Sequence, residues 1–139
     1  MLRWSWRLVS GGAVVARMIF IFQASSLTPE EVDRSLQALF WLGKLGSVLG
    51  HLVLYGMLAS LLQISLWSWQ SNAAHQLRWV LVAAALSTLY GISDEYHQSL
   101  VTGRVASIGD VVIDGVGALA AAASLKFLAE MASARLRPD

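Results

Sequence analysis

Four long apolar stretches divide this chain of 139 residues, and they constrain its fold more than any other feature. They cover approximately residues 8–26, 48–67, 79–93 and 108–131. About 20 mostly apolar residues span a bilayer as an α-helix, and about 17–25 are tolerated. The first stretch meets this length if Arg17 is accommodated, and the third does so only by including its polar end, DEYHQ. The pattern predicts an all-α fold, a four-helix transmembrane bundle.

The overall composition agrees with a membrane protein. A mean hydropathy of +0.58 is too apolar for an ordinary soluble domain of this length, and the chain has room for a single domain, residues 1–139. The absence of cysteine excludes disulfide frameworks and thiolate sites. A net charge of +1 without a long basic run gives no indication of nucleic-acid binding. The predicted partner is therefore the lipid bilayer.

The loop charges predict the orientation. Arginines stand before the first stretch, between the second and third, and after the fourth (Arg3, Arg7, Arg78, Arg135 and Arg137). Short loops rich in Lys and Arg stay cytoplasmic, so we expect a multi-pass cell-membrane protein with both termini cytoplasmic. Tryptophans 4, 6, 67, 69 and 79 fall at the predicted inner boundary and Trp41 near the outer one. The first stretch also has the outline of a cleaved signal peptide, but Arg17 argues against this alternative.

A short surface helix is predicted between the first and second spans, over residues 28–37. Thr28 is a typical N-cap and Pro29 suits the first turn. Glu30 and Glu31 complement the positive end of the helix dipole.

Acidic, basic and imidazole side chains are concentrated between Tyr90 and Asp114, where the sequence has Asp94, Glu95, His97, Arg104, Asp110 and Asp114. Charge beside hydrocarbon is costly and rarely persists without a partner or a role. In the second stretch, Lys44, His51 and Tyr55 are seven and four residues apart, so they share one helical face. We expect these side chains and the 90–114 segment to meet at the outer end of the bundle, with His51, Glu95, His97 and Asp110 in one polar pocket.

These residues also carry a resemblance that covers nearly the whole chain. The pattern is Lys44-x6-His51-x3-Tyr55, then Tyr90-x-Ile92-Ser93-Asp94-Glu95-x-His97-Gln98, then Gly103-Arg104 and Asp110. It resembles the VanZ-like family of small bacterial integral membrane proteins. The resemblance implies a cell-envelope role and, through the family's namesake, a link to teicoplanin resistance, but no established reaction. The chain departs from the family at Thr102, where Pro is usual, and at Asp114, where Asn is usual.

Two classes of function remain open. In the first, the outer site binds or acts on an anionic lipid-linked or cell-envelope molecule. Glu95, His97 and His51 are then the predicted acid–base catalytic groups, and the predicted substrate-binding residues are Lys44, Tyr55, Asp94, Gln98, Arg104, Asp110 and Asp114. In the second, the polar residues form a structural network in a non-catalytic scaffold or partner-binding protein. Whether the chain is an enzyme, and with which cofactor, stays open.

Some of the candidate site residues also have a simpler structural interpretation. His51 alone is more typical of a hydrogen-bonded packing residue, and Asp110 of an acid that complements a helix N-terminus. A hard divalent ion held by Asp, Glu and His is compatible with the sequence, but no motif of fixed spacing assigns any metal ligand. Arg17 and Asp114 lie at similar predicted depths, about 13 and 9 Å from the outer ends of their helices, which predicts a buried ion pair. The alternative is that the Arg17 side chain extends to an interface and Asp114 stays with the outer polar site.

Overall fold

The computed structural model of the chain describes residues 2–35, 43–69 and 76–136. It contains four long helices and one short one: α1 (Leu2–Ser25), α2 (Pro29–Ser35), α3 (Gly43–Trp67), α4 (Leu77–Gln98) and α5 (Ile108–Arg135). No strand occurs in these three ranges. The predicted all-α fold, with a short helix between the first two long ones, is confirmed.

Three of the long helices are long and apolar enough to cross a membrane. They are Trp4–Ser25 within α1, Lys44–Trp67 within α3, and Ile108–Arg135, the whole of α5. α4 is not among them, because it carries Arg78 in its first turn and Asp94, Glu95 and His97 near its end. Its 22 residues would nevertheless extend about 33 Å at 1.5 Å per residue, so the fourth span stays a prediction.

The bundle is built around α3, α4 and α5, which pack against one another, while α1 packs mainly on α3 and less on α4. The long helices alternate in direction, so that α1 and α4 end where α3 and α5 begin. We call this end of the bundle the polar end. At the opposite end Trp4 meets Trp69 edge to face, with ring centroids 6.4 Å apart, and the Arg7 guanidinium lies 4.5 Å from the centre of Trp69. Trp41 lies outside the described residues.

Small residues allow α3 and α5 to approach closely. A Cβ atom added at Gly117 would lie 2.6 Å from the backbone oxygen of Leu52, and one at Gly56 would lie 3.1 Å from the oxygen of Gly117. Only some of the many glycines and alanines of α5 face neighbouring helices. Gly117, Ala118 and Ala122 are buried, whereas Gly109, Ala120 and Ala123 are exposed, since only every third or fourth residue can face the same neighbour.

The cap predicted for the short helix is present. The backbone N–H and the hydroxyl of Thr28 each donate to Oε2 of Glu31 at 2.8 Å, and the Glu31 N–H donates back to Thr28 Oγ1 at 3.4 Å. This reciprocal arrangement is a capping box. The backbone hydrogen bond from Thr28, followed by the hydroxyl bond, holds the pKa of Glu31 below its ordinary value. Helix α2 ends at Ser35, and residues 36 and 37 of the predicted segment lie outside the described residues.

The predicted ion pair between Arg17 and Asp114 is wrong. Arg17 donates from Nη2 to the backbone oxygen of Leu54 at 3.2 Å, and its guanidinium lies 5.3 Å from the centre of the Phe20 ring. Asp114 is bonded instead to His51. Similar depth was not sufficient, because α1 packs mainly on α3 and the Arg17 side chain ends on the backbone of that helix.

Candidate functional site

Two consecutive acids of α4 lie at the centre of two different polar groups. Asp94 and Glu95 are both buried, with exposed fractions of 5% and 4%. Successive residues of an α-helix point about 100° apart. Asp94 therefore meets side chains of α1 and α3, whereas Glu95 meets the segment that begins α5.

The first group is a hydrogen-bonded network around Asp94. Its Oδ1 accepts from the hydroxyl of Ser25 at 2.6 Å, and its Oδ2 accepts from the hydroxyl of Tyr55 at 2.8 Å and from Nε2 of Gln98 at 3.0 Å. Arg104 donates to the side-chain oxygen of Gln98. We call these five residues the Asp94 network. Both carboxylate oxygens of Asp94 have partners, so this network ties α1, α3 and α4 together and binds Arg104 of the following loop.

The second group lies between α3, α4 and α5 and contains His51, Glu95, Asp110 and Asp114; we call it the His51 cluster. The ring nitrogen Nδ1 of His51 lies 2.9 Å from Oδ1 of Asp114. One candidate ligand atom from each of His51, Glu95 and Asp110 lies within 4.8 Å of the other two. Asp114 is fully buried, and its Oδ2 has no hydrogen-bond partner among the described residues.

A glycine admits the Asp114 carboxylate between the helices. A Cβ atom added at Gly91 would lie 2.8 Å from Oδ2 of Asp114 and 3.3 Å from the ring of Tyr55. Any larger residue would therefore displace the acid or the tyrosine. The backbone of α4 thus forms one wall of the cluster.

The start of α5 sets the position of two carboxylates. Ser107 is the N-cap, and its hydroxyl accepts from the N–H of Asp110 at 3.3 Å. In a capping box the acid at the position of Asp110 would accept the N–H of the cap residue. Here that N–H donates to Oε2 of Glu95 at 2.7 Å instead. The carboxylate of Asp110 is consequently left to face the cluster, and Oε1 of Glu95 is buried without a partner in the described part of the chain.

The His51 cluster carries an excess of acidic groups. It contains three carboxyl groups and one imidazole. Within residues 2–35, 43–69 and 76–136 the ion pairs are His51–Asp114 and Lys126–Glu130, so Glu95 and Asp110 form none. Buried carboxylates without compensating cations are costly. The arrangement is one that a cationic or hydrogen-bond-donating ligand would stabilise.

His97 lies apart from this cluster. Its Nε2 is 3.0 Å from the hydroxyl of Ser26, and its ring stacks on Phe22 with centroids 4.2 Å apart. Two residues along a helix correspond to about 200°, so His97 faces α1 when Glu95 faces α5. The structure brings together three of the four residues predicted to share a pocket, His51, Glu95 and Asp110, and not His97. Lys44 is exposed at the start of α3.

Two participating residues were not expected from the sequence. Ser25 ends α1 and bonds Asp94, and nothing in its local pattern indicates that contact. Ser107 bonds Glu95 and caps α5. A serine followed three residues later by an acid before an apolar run is the pattern of a helix N-terminus, so this signal was available.

The residues of both groups fall inside one family match. The family model described as VanZ/LLP1 matches residues 7–129, which is most of the chain. The chain belongs to the VanZ/LLP1 family. No curated protein and no solved structure shows significant similarity to it. In this member of the VanZ/LLP1 family, Asp114 stands where the resemblance leads us to expect Asn, and it is the residue that holds the His51 ring.

Proposed function

We propose that this VanZ/LLP1 membrane protein binds an anionic lipid-linked or cell-envelope molecule at its polar end, with the His51 cluster as the centre of the site. The main support for a ligand at this cluster is that the buried oxygens Oε1 of Glu95 and Oδ2 of Asp114 have no partner among the described residues, so the bound molecule would have to bring hydrogen-bond donors to them besides its anionic group. They belong to a cluster whose His51 and Asp110 are only half-buried. A folded protein rarely leaves such groups unpaired unless a ligand, ion or water completes them.

The residues around the cluster suit this ligand class. Lys44 and Arg104 are the cationic groups of the polar end that can attract a phosphate or carboxylate. His51, oriented by Asp114, and Glu95 can exchange protons with a bound molecule, while His97 offers a second imidazole at the α1 edge. Ligand binding requires only that the cationic groups attract the anion, so the proposed function does not require the protein to catalyse a reaction.

A structural role is the second candidate function, and it fits the residues of the Asp94 network. The Asp94 network is satisfied at both carboxylate oxygens and joins three helices. Tyr55, Asp94 and Gln98 are therefore proposed to position the site rather than to contact the ligand. If every polar residue behaved in this way, the protein would be a scaffold without a ligand.

Binding of a defined lipid separates the two functions. We expect the delipidated full-length protein in detergent to retain undecaprenyl phosphate or phosphatidylglycerol in preference to phosphatidylcholine in native mass spectrometry. Arg104→Gln should lower the affinity about tenfold, because a hydrogen bond to a charged group contributes about 1.5–3 kcal/mol. Arg34→Gln, an exposed arginine of α2, is the matched control. Equal retention of all three lipids would favour the scaffold.

The same variants can be followed in cells. The link to teicoplanin implied by the resemblance predicts that expression in a sensitive Gram-positive host raises the inhibitory concentration of this antibiotic. Glu95→Gln should abolish the increase while membrane abundance, measured by immunoblot, stays close to wild type. Loss of abundance in parallel with loss of resistance would indicate a structural role for Glu95.

A further inference from the structure

We propose that His51, Glu95 and Asp110 form a binding site for a divalent cation. Each contributes one potential ligand atom, and these atoms lie within 4.8 Å of one another. The three ligands come from α3, α4 and α5 and are 44 and 15 positions apart along the chain. Such spacing matches no local metal motif, and only the packing of the helices brings the residues together.

An unsatisfied oxygen independently indicates a ligand at this position. Glu95 is 4% exposed, and its Oε2 accepts from Ser107 while its Oε1 has no partner in the described ranges. A buried acceptor without a partner costs about 1–3 kcal/mol, and more when it is charged. The carboxylate of Asp110 also forms no ion pair with a described residue. A cation shared by the two acids would remove both costs.

The hydrogen bond of His51 has the form expected for a metal-ligating histidine. Its Nδ1 lies 2.9 Å from the buried carboxylate of Asp114, which leaves Nε2 to bind the cation. Metal-binding histidines usually donate their other ring N–H to a carboxylate or carbonyl, which fixes the tautomer and the ring orientation. Asp114 is therefore a positioning residue for the cation ligand.

The donor atoms restrict the identity of the cation. One imidazole with two carboxylates favours Mn²⁺ or Zn²⁺ over Ca²⁺ and Mg²⁺, which prefer oxygen ligands alone. Bonds of about 2.0–2.2 Å place neighbouring ligand atoms about 3.0–3.6 Å apart. From 4.8 Å the site must contract by up to about 1.8 Å, which the half-buried side chains of His51 and Asp110 can provide by rotation. Three protein ligands would leave a coordination position open.

The cation would also explain how an acidic cluster receives an anionic molecule. A divalent ion held by Glu95 and Asp110 offsets their charge and offers its open position to a phosphate or carboxylate oxygen. This role in ligand binding rests on the proposed function, whereas cation binding itself does not.

Titration with Mn²⁺ tests the site. The full-length protein, purified in detergent without a polyhistidine tag, is titrated with Mn²⁺ in chelator-treated, phosphate-free buffer, and free Mn²⁺ is measured by electron paramagnetic resonance. We expect about one Mn²⁺ per chain, displaced by Zn²⁺. Asp110→Asn, Glu95→Gln and His51→Gln should each weaken binding about tenfold or more, and Asp114→Asn about 10–100-fold.

Matched controls and a stability measurement make the result decisive. As controls, Asp33→Asn on α2 removes a carboxylate and His97→Gln on the α1 side of α4 removes an imidazole, both at positions outside the His51 cluster. Both variants should bind Mn²⁺ as wild type does. Thermal unfolding without metal shows whether each variant is folded, and added Mn²⁺ should raise the midpoint of wild type but not of Asp110→Asn. Absence of stoichiometric binding by folded wild type, or unchanged affinity in both Asp110→Asn and Glu95→Gln, overturns the proposal. Mn²⁺ binding without retention of the anionic lipids would contradict the proposed function and leave the cation site intact.

Discussion

At the scale of single residues, the adjacent carboxylates Asp94 and Glu95 of α4 differ in whether their oxygens have hydrogen-bond partners. Asp94 accepts three hydrogen bonds, from Ser25, Tyr55 and Gln98, and both of its oxygens have partners. Glu95 accepts one, from the N–H of Ser107, and keeps one buried oxygen unpaired. Hydrogen bonds to a carboxylate stabilise its position, whereas an unpaired buried oxygen is available to a ligand. We therefore propose a structural role for Asp94 and a functional role for Glu95.

This difference predicts different effects of mutation at Asp94. Asp94→Ala removes the acceptor of three buried donors, of which the Ser25 hydroxyl can still donate to the backbone oxygen of Phe22. Each bond to a charged acceptor contributes about 1.5–3 kcal/mol. We expect a loss of more than about 3 kcal/mol in the free energy of unfolding, seen as a lower midpoint in fluorescence-detected size-exclusion thermal melts. Asp33→Ala, at an exposed position of α2, should change stability by less than about 0.5 kcal/mol. Equal midpoints for the two variants would show that the network contributes little.

At the scale of helices, the contact of α3 with α5 determines whether the His51 cluster can form, because its members lie on both. The closest approach is at Gly117, next to backbone atoms of Leu52. Side chains can rotate away from an added methyl group, but a helix backbone has to move as a unit. A small residue at this position therefore sets the distance between the two helices and, with it, the hydrogen bond of His51 with Asp114.

Substitution of Gly117 tests this constraint. The Cβ of Gly117→Ala would lie 2.6 Å from the backbone oxygen and 2.8 Å from the Cα of Leu52. Separating the helices should cost about 1–3 kcal/mol and weaken Mn²⁺ binding. Gly50→Ala on α3 is the control, since no neighbouring atom lies within 4 Å of its added Cβ; alanine should stabilise the helix there by up to about 1 kcal/mol. A Gly117→Ala protein as stable as Gly50→Ala would contradict the close contact.

At the scale of the whole molecule, the candidate site residues lie together at the polar end because the four long helices alternate in direction. Its proposed position on the outer surface follows from the loop arginines. The chain has no cysteine, so single cysteines can be introduced on either side of α4. Thr102→Cys should react with a membrane-impermeant maleimide on intact cells, whereas Asn72→Cys, outside the described residues, should react only after permeabilisation. Labelling of both from one side would show that α4 does not cross the membrane.

The sequence alone determined the class of the fold and singled out most of the candidate site residues. Apolar stretches of membrane-spanning length predict helices because hydrocarbon leaves backbone groups no other partners. The cap at Thr28 was predictable because its contacts are local, and the polar residues from Tyr90 to Asp114 were noticeable because charge is rare in such a composition. The VanZ-like pattern likewise depends only on residue order.

Tertiary packing decided which polar residues meet. The sequence placed His97 with Glu95 and paired Arg17 with Asp114, because depth along a helix can be read from residue number. Rotation about the helix axis and the choice of neighbouring helix depend on how four helices pack around one another. That packing separates His97 from Glu95, directs Arg17 to the backbone of α3, and brings His51, Glu95 and Asp110 from three helices within 4.8 Å.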